Sequence, residues 1–294
     1  MVHILADNST ILFVVVAGYL FTLSTAQFRY VPYLINKVQS VLLPYLILTT
    51  PAALLYVFKI KTNHWWVDMD WFYSLNPVVQ YLYMMGTGAH LGPLWFIPMI
   101  VLFYLLSPAW IGIQKAGLLR MAFFGALIVG VYVGRPLVNN NPFWAFWFFL
   151  PAYLLGMVLA ECPDWYEKFS AKSAVYLPAF FVCMYGTYAV IDMNDHLDLL
   201  FKLLMSVLLM AFCKQYASRK LVWLDLFGRL SFFLFFVHGY VAGVLRLLYQ
   251  RGDIPFTGLA PVLGIFVVIV VASVLSYIPA KMLLRKHSKY VLGA

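Results

Sequence analysis

Long apolar runs, separated by short polar connections, dominate the chain. Nine runs are candidate membrane-spanning helices, because a bilayer core of roughly 30 Å requires about 20 apolar residues per helix. Two of them, 174–191 and 258–280, contain no charged residue and lack the polar face that a soluble helix presents every 3.6 residues. The predicted spans are 11–26, 38–58, 92–113, 121–136, 143–160, 174–191, 199–213, 230–248 and 258–280.

The composition supports this pattern. Of the 294 residues, 64% are hydrophobic and 11% are charged, whereas a soluble domain is about half apolar and a quarter charged. We therefore predict an all-α integral membrane protein, with about nine transmembrane helices in a single bundle and one domain over residues 1–294. The formal charge of +9 comes from cations in short loops. This placement is typical of membrane topology, and we expect no nucleic-acid partner.

The basic residues divide unevenly between the two sides of the predicted membrane. With the C-terminus in the cytoplasm and the N-terminus outside, fourteen Lys and Arg residues fall on the inner face and five on the outer face. This bias is the positive-inside pattern. The inner cations are Arg29, Lys37, Lys115, Arg120, Lys168, Lys172, Lys214, Arg219, Lys220, Arg229, Lys281, Arg285, Lys286 and Lys289, and the outer ones are Lys59, Lys61, Arg135, Arg246 and Arg251.

The longest predicted connection, 59–91, is rich in aromatic residues. Its ordinary interpretation is an aromatic belt at the outer membrane interface. Asp68 and Asp70 lie between its tryptophans, and aromatic faces beside carboxylates also suit sugar binding. Both interpretations stay open from the sequence.

Five segments resemble, in the same order, characteristic segments of the acyltransferase-3 family of integral membrane acyltransferases. They include an apolar run ending in Gly-Tyr-Leu, a basic stretch ending in Pro-Tyr, a Leu-Trp helix and a Leu-Gly…Ser…His segment. The five are 13–21, 28–45, 92–108, 148–161 and 226–241.

The resemblance implies an enzyme of the bacterial inner membrane. Such enzymes transfer an acyl group, commonly acetyl from acetyl-CoA, to a hydroxyl of a cell-envelope glycan or glycolipid. Their ten core helices imply that this sequence lacks the first transmembrane helix, which would also explain the outward N-terminus. The expected partners are the acyl-CoA donor, an envelope glycan or lipid-linked sugar acceptor, and the bilayer. No bound cofactor is expected.

Histidine is the natural base for acyl transfer, because its unperturbed pKa lies near 6.5. His238 lies near the middle of a predicted span, where an ionisable group is a functional hypothesis by default. A neutral histidine bonded within the bundle is the alternative. His3 is the second candidate base, since it corresponds to the histidine that ends the family's first helix, although a solvated terminal residue explains it equally. His90 lies at the outer mouth of the third span and is a candidate lining residue.

A CoA donor carries phosphate groups, so cations are needed at the inner face. The resemblance assigns donor binding to Lys37, with Arg29 as a second cation. The family has an arginine pair here, and this chain has Lys37 and Ser40 instead. Simple positive-inside anchoring is the other interpretation of each cation.

The Leu-Trp helix contributes the last candidates. Trp95 and Tyr104 either line the site or pack against neighbours. The close-approach pattern G-x-x-x-G at Gly239 and Gly243 follows His238 and allows another helix to come near. The chain has no metal-binding spacing of Cys and His, and no metal is predicted.

Two other functions stay open. A transporter or flippase of polar lipids or sugar-lipids would need broken helices or polar groups meeting at the membrane midplane, and the sequence shows few such groups. An inactive truncated homologue that acts as a scaffold is the other alternative.

Overall fold

The computed structural model describes residues 10–136, 138, 140–164, 167, 171–190, 195–216 and 222–251, and all of 264–277 except 265, 273 and 276. Within these ranges every regular element is helical, in agreement with the predicted all-α class. Short 3₁₀ turns lie at Thr25–Gln27 and Gly92–Trp95. The helices are α1 Thr10–Leu23, α2 Tyr30–Val57, α3 Met69–Ser74, α4 Pro77–Thr87, α5 Phe96–Leu105, α6 Ser107–Lys115, α7 Leu119–Val133, α8 Pro142–Glu161, α9 Ser173–Val190, α10 Asp195–Tyr216 and α11 Val222–Arg251.

Two described helices, α2 and α8, are individually long and apolar enough to cross a membrane. A third span is obtained if α4 and the segment Gly92–Leu105 count as one helix that is broken by a bend of 78°. Shorter apolar helices lie at Thr10–Leu23, Leu119–Val133, Ser173–Thr187 and Phe233–Leu245. The count of nine spans and their orientation stay predictions, and most of the span 258–280 lies outside the described residues.

The prediction of one long connection over 59–91 is wrong for its second half, which forms α4. The Asn76 side chain accepts a hydrogen bond from the Val79 amide, and Pro77 follows as the first helical residue. Both features are typical of helix starts. Gly88 ends the helix with φ +70°, a left-handed conformation that glycine adopts at little cost. These end signals fix a helix of eleven residues that is too short to register as a membrane span in the sequence.

The predicted span 92–113 is also not one straight helix. The chain forms the 3₁₀ turn Gly92–Trp95, then α5, and starts again as α6 after Leu106. Pro108 lies near the start of α6, where its missing N–H costs no helical hydrogen bond. The indole of Trp110 donates to the Phe103 carbonyl at 3.0 Å and so ties the two helices together.

The chain divides into two compact units. Unit 1 comprises the described residues within 1–30, 102–137 and 143–221, and unit 2 those within 31–101, 138–142 and 222–294. The single domain expected over 1–294 stays a prediction.

In unit 1, α10 packs against α1 and α9. Helices α1 and α8 approach to backbone contact, because a Cβ at Gly18 would overlap the Tyr153 carbonyl oxygen. The same holds for Gly156 and the Val15 carbonyl oxygen. Beside this crossing, the rings of Phe103, Phe146, Trp110 and Tyr153 form a cluster with centroid separations of 4.6 to 6.3 Å. Aromatic packing at these distances adds to the burial of apolar surface.

In unit 2, α4 packs against α2, and α11 packs against α2 and the 3₁₀ turn. The hydroxyl of Tyr45 on α2 donates to the Met85 carbonyl at 2.6 Å, and that of Tyr240 on α11 donates to the Leu48 carbonyl at 2.6 Å. These bonds satisfy polar groups that lipid could not. Unit 2 therefore encloses the break between α4 and α5 with helices on two sides.

Candidate functional site

The break between α4 and α5 carries His90, one of the predicted site residues. The His90 side chain is 2% exposed, and its Nδ1 atom lies 2.9 Å from the carbonyl oxygen of Met84. The Met84 carbonyl also accepts from the Gly88 amide at 2.9 Å, so His90 adds a second donor at the C-terminal end of α4. Because a carbonyl only accepts, Nδ1 carries the proton and Nε2 is left with its lone pair. That Nε2 atom is buried and makes no hydrogen bond.

His64, in the predicted outer connection 59–91, forms hydrogen bonds that join the same turn to this connection. Its Nε2 lies 2.9 Å from the Ala89 carbonyl, and its Nδ1 accepts from the amides of Trp66 and Val67 at 3.3 and 3.1 Å. The ring is therefore neutral, with its proton on Nε2. Burial lowers the pKa of His64 from 6.5, and the charge of Lys61 lowers it further, against the opposing effect of the bond to Ala89. Protonation at Nδ1 would break both hydrogen bonds that this atom accepts from the backbone amides.

This arrangement makes the stability of unit 2 depend on pH through His64. Because the folded-state pKa of His64 is lowered, the unfolded chain binds the proton first, and stability is lost as the pH falls below 6.5. Asparagine can accept from the same amides and does not titrate. At pH 7.5 we expect wild type to melt at a higher temperature than His64→Asn. When the pH is lowered to 5.5, this difference in melting temperature should become smaller by about 2–4 °C. A difference that stays constant over this pH range would contradict this role for His64.

His238, the first predicted base, lies on α11, and its Nδ1 lies 3.0 Å from the carbonyl of Leu234 in the preceding turn. Nδ1 is again the donor, so Nε2 carries the lone pair. The ring is partly buried and lies 5.8 Å from the ring of Phe235. The next residue, Gly239, contacts the broken span, since a Cβ there would lie 2.8 Å from the Leu91 side chain. His238 and the turn that carries His90 are therefore neighbours within unit 2.

The structure bears on one of the two glycines of the G-x-x-x-G pattern. Gly239 does permit a close approach, although the neighbour is the turn at Leu91 and Pro93 rather than a helix. Gly243 is exposed, and a Cβ there would meet nothing within 4 Å among the described residues. Close approach at Gly243 stays a prediction.

Trp95 and Tyr104 fall in different units. Trp95 belongs to unit 2, where it is buried in the 3₁₀ turn with its ring 6.4 Å from that of Phe96. Tyr104 belongs to unit 1, and its carbonyl accepts from the Ser107 hydroxyl. Trp95 is next to the candidate site in the turn, and both interpretations of Tyr104 stay open.

The carboxylate of Asp68 has a structural role. It accepts from the amides of Asp70 and Trp71 at 3.0 and 3.1 Å and so caps the start of α3. Trp65 and Trp71 are 75% and 46% exposed. Exposed indoles around a capped helix favour the aromatic-belt interpretation of this connection over sugar binding.

A cationic cleft lies in unit 1. It has a volume of about 570 Å³ and is lined by residues 25–29 with Ile111 and Lys115. Arg29 and Lys115 are both exposed and both belong to the predicted inner face. The Lys115 contribution was not identified in the sequence, because it lies far from Arg29 along the chain. Two cations at one cleft can bind phosphate oxygens.

Lys37, the other predicted donor ligand, belongs to unit 2. It is half-buried on α2, with its Nζ atom 5.4 Å from the centroid of the Tyr33 ring. A π-helical turn, Val38–Leu42, follows it, and such turns occur frequently at functional sites. The Ser40 hydroxyl donates to the Asn36 carbonyl on the same helix, so it supplies no replacement for the missing cation.

The second predicted base, His3, lies outside the described residues. Two buried polar residues were missed as site candidates. Gln80 on α4 is 4% exposed, and Lys202 on α10 is fully buried one turn after the buried Asp198. Gln80 was overlooked because α4 was taken for a connection.

A family model described as an acyltransferase domain, that of acyltransferase-3, matches residues 4–280. Comparison with curated proteins and with solved structures gave no match. The family match covers nearly the whole chain, including both compact units and all the segments in which the resemblance was found. The chain therefore belongs to the acyltransferase-3 family of membrane-embedded acyltransferases.

Proposed function

We propose that the protein transfers an acyl group, acetyl in the first instance, from a cytoplasmic acyl-CoA to a hydroxyl of a cell-envelope glycan or lipid-linked sugar. We place it in the bacterial inner membrane. Family membership supports acyl transfer to a carbohydrate acceptor. The observation that carries the choice of donor is the cleft of unit 1, in which Arg29 and Lys115 offer two cations to an anionic ligand.

The proposed reaction needs a base and no redox partner. The hydroxyl oxygen attacks the thioester carbonyl while its proton passes to a histidine, and the carbon–sulfur bond then breaks. The thiolate of CoA leaves and recovers the proton, which gives an ester and free CoA. General base catalysis of this kind contributes about 10²–10⁴-fold to the rate.

His238 is the residue to which we assign this proton transfer. Its Nδ1 atom bonds the Leu234 carbonyl at 3.0 Å, so the other ring nitrogen is the basic one. The same helix contacts the broken span at the next residue, Gly239. A histidine whose tautomer is fixed by the backbone begins each cycle with its lone pair on Nε2.

The activity is tested directly with the purified protein in nanodiscs. We expect [14C]acetyl-CoA to label an envelope glycan fraction through an ester that mild alkali removes. Boiled protein and acetyl-CoA without the glycan fraction are the controls. Absence of alkali-labile label, from a protein that is folded by its melting profile, would overturn the proposed function.

The donor site gives a second prediction. Arg29→Ala and Lys115→Ala should each raise the KM for acetyl-CoA about tenfold, because each removes a charged hydrogen bond to phosphate. The matched control is Lys172→Ala, an exposed cation of the same predicted face that does not line the cleft.

A smaller donor separates binding from folding effects. Acetyl-pantetheine carries the thioester without the nucleotide phosphates, so its KM should be the same in wild type and in both cleft variants. A rise in KM for both donors, or for neither, would show that the cleft does not bind the phosphates.

A transporter or flippase is the second candidate, and the broken span favours it. A break of 78° between α4 and the segment Gly92–Leu105 is the kind of discontinuous helix that lines transport sites. Reconstituted vesicles distinguish the two functions. Movement of a lipid-linked sugar without acyl-CoA and without ester formation would identify a flippase, and ester formation that requires acyl-CoA would identify the transferase.

A further inference from the structure

Two side-chain atoms in the broken span of unit 2 are buried and make no hydrogen bond. They are Nε2 of His90 and Oε1 of Gln80. Each residue uses its other polar atom: His90 bonds the Met84 carbonyl at 2.9 Å, and Gln80 Nε2 donates to the Leu75 carbonyl at 2.7 Å. Those bonds account for how the two side chains are held. They leave the two remaining atoms unexplained.

The chemistry of both atoms is fixed by the bonds that their partners make. Gln80 directs its amide N–H to a carbonyl, so its oxygen is the free atom, and His90 carries its proton on Nδ1, so Nε2 has the lone pair. Both atoms can only accept hydrogen bonds. A buried acceptor without a donor costs free energy, and native proteins keep few of them. A ligand that fits must therefore bring hydrogen-bond donors.

The position of the pair in the fold is the third observation. Gln80 and Met84 are one turn apart on α4, so they share a face of the helix. His90 follows in the turn that α11 contacts at Gly239, directly after His238. The Tyr45 ring on α2 lies beside the turn, with its centroid 6.0 Å from that of the His90 ring. His90 therefore lies in the turn that adjoins α11 next to the proposed base, and Gln80 lies on the helix that leads into this turn.

We propose that His90 and Gln80 form the recognition subsite for the acceptor sugar, with Nε2 and Oε1 accepting hydrogen bonds from its non-reacting hydroxyls. A neutral polyhydroxylated ring supplies donors without charge, which suits a site built from uncharged acceptors. The proposal rests on the transferase function above and names the part of the protein that selects its acceptor. His90 is thus assigned a binding role, distinct from the proton transfer assigned to His238.

Entry of the sugar requires the turn to move, because both atoms are sealed from solvent. The turn is bounded by Gly88 and Gly92, and its tie to the outer connection is the bond from His64 to the Ala89 carbonyl. Gly88 also packs its backbone against Leu94 and Trp95. On the proposal, the bond from His64 to Ala89 has to open before a sugar reaches the His90 ring.

The test uses one variant at each position that lacks the acceptor atom at the place where the subsite needs it. His90→Asn retains an N–H for the Met84 carbonyl and lacks Nε2. Gln80→Met keeps the length of the side chain without the oxygen, and Val79→Met is its matched control on the exposed face of α4. We expect both subsite variants to raise the KM for the glycan acceptor about tenfold, because each loses one hydrogen bond. The KM for acetyl-CoA should be the same as in wild type for both variants. The melting temperature of His90→Asn should also equal that of wild type.

A second measurement does not depend on turnover. In protein labelled with [15N]histidine, the Nε2 signal of His90, assigned by its loss in His90→Asn, should shift when methyl β-D-glucopyranoside is added. The shift should weaken in Gln80→Met and persist in Val79→Met.

The outcomes separate the two proposals. A sugar-dependent shift without any acyl transfer would overturn the transferase function and leave a sugar-binding site. Acyl transfer with an unchanged acceptor KM in both subsite variants, and no shift, would mean that buried water alone occupies these atoms and would overturn the subsite.

Discussion

Replacing Gly156 with valine should prevent unit 1 from reaching its folded state. A Cβ at this position would overlap the carbonyl oxygen of Val15 and lie 2.7 Å from the amide nitrogen of Tyr19. Both neighbours are backbone atoms of α1, so no side-chain rotation relieves the clash. Overpacking of buried positions costs 1–3 kcal/mol when side chains can adjust, and here we expect a loss above about 3 kcal/mol.

The size of this effect follows from the way α1 and α8 meet. Gly18 on α1 packs against the backbone of Tyr153, and Gly156 on α8 packs against the backbone of Val15. Each helix therefore presents a glycine to the backbone of the other. Glycines at such a crossing let helices in lipid associate through close backbone packing. Separating the helices to admit two methyl groups would also disturb the ring cluster of Phe103, Phe146 and Tyr153.

The measurement is the monodisperse fraction and the melting temperature of the protein in detergent. Gly186→Val on α9 is the matched control, because a Cβ there meets nothing within 4 Å in the part of the chain that the structure describes. Gly156→Val should lose most of the monodisperse peak, and Gly186→Val should keep it. Equal behaviour of the two variants would show that α1 and α8 do not cross at these glycines.

Much of the fold could be predicted from the hydrophobic pattern. The predicted span 143–160 lies within α8, and the predicted span 38–58 lies within α2 except for its last residue; these are the two described helices that meet the length and apolarity of a full span. Uninterrupted apolar runs leave the chain no alternative to helix in lipid, since every backbone group must be satisfied locally. The resemblance to the family, which depended on the order of five segments, is confirmed by the match over residues 4–280.

The broken span could not be predicted in the same way. Its two halves are shorter than a bilayer, and the turn between them reads as a polar connection. The helix signals at Asn76, Pro77 and Gly88 were present in the sequence, and attention to helix ends would have identified α4. The burial of Gln80 could not be predicted from the local sequence, because it depends on how α4 packs against α2.

Some residues of the candidate site could be predicted from the sequence, but the contacts between them could not. His238 and His90 could be selected from the sequence as histidines at membrane depth or at its edge. The contact between α11 and the turn, which relates them, is a tertiary feature made at Gly239. Lys115 was missed for the same reason, since only folding brings α6 beside residues 25–29 in the cleft.

His238→Ala should reduce acyl transfer by about 10²–10⁴-fold, which is the usual contribution of a positioned general base. The KM for acetyl-CoA should be unchanged, because the phosphate-binding cations are Arg29 and Lys115. The protein should insert and melt as wild type does, since among the described residues the imidazole hydrogen-bonds its own helix at Leu234. The assay is the initial rate of ester formation at saturating donor, with Val244→Ala, an exposed position of α11, as the control.

Chemical rescue distinguishes a base from a packing group. Alanine leaves room beside Phe235, whose ring lies 5.8 Å from the imidazole of wild type, so added imidazole can occupy the vacated position and accept the proton. We expect imidazole to restore part of the rate in His238→Ala and to leave Val244→Ala unaffected, with toluene, an apolar ring of similar size, giving no rescue. Turnover that survives the substitution undiminished would exclude His238 as the base. Rescue by both rings would instead assign it a packing role against α11 and the broken span.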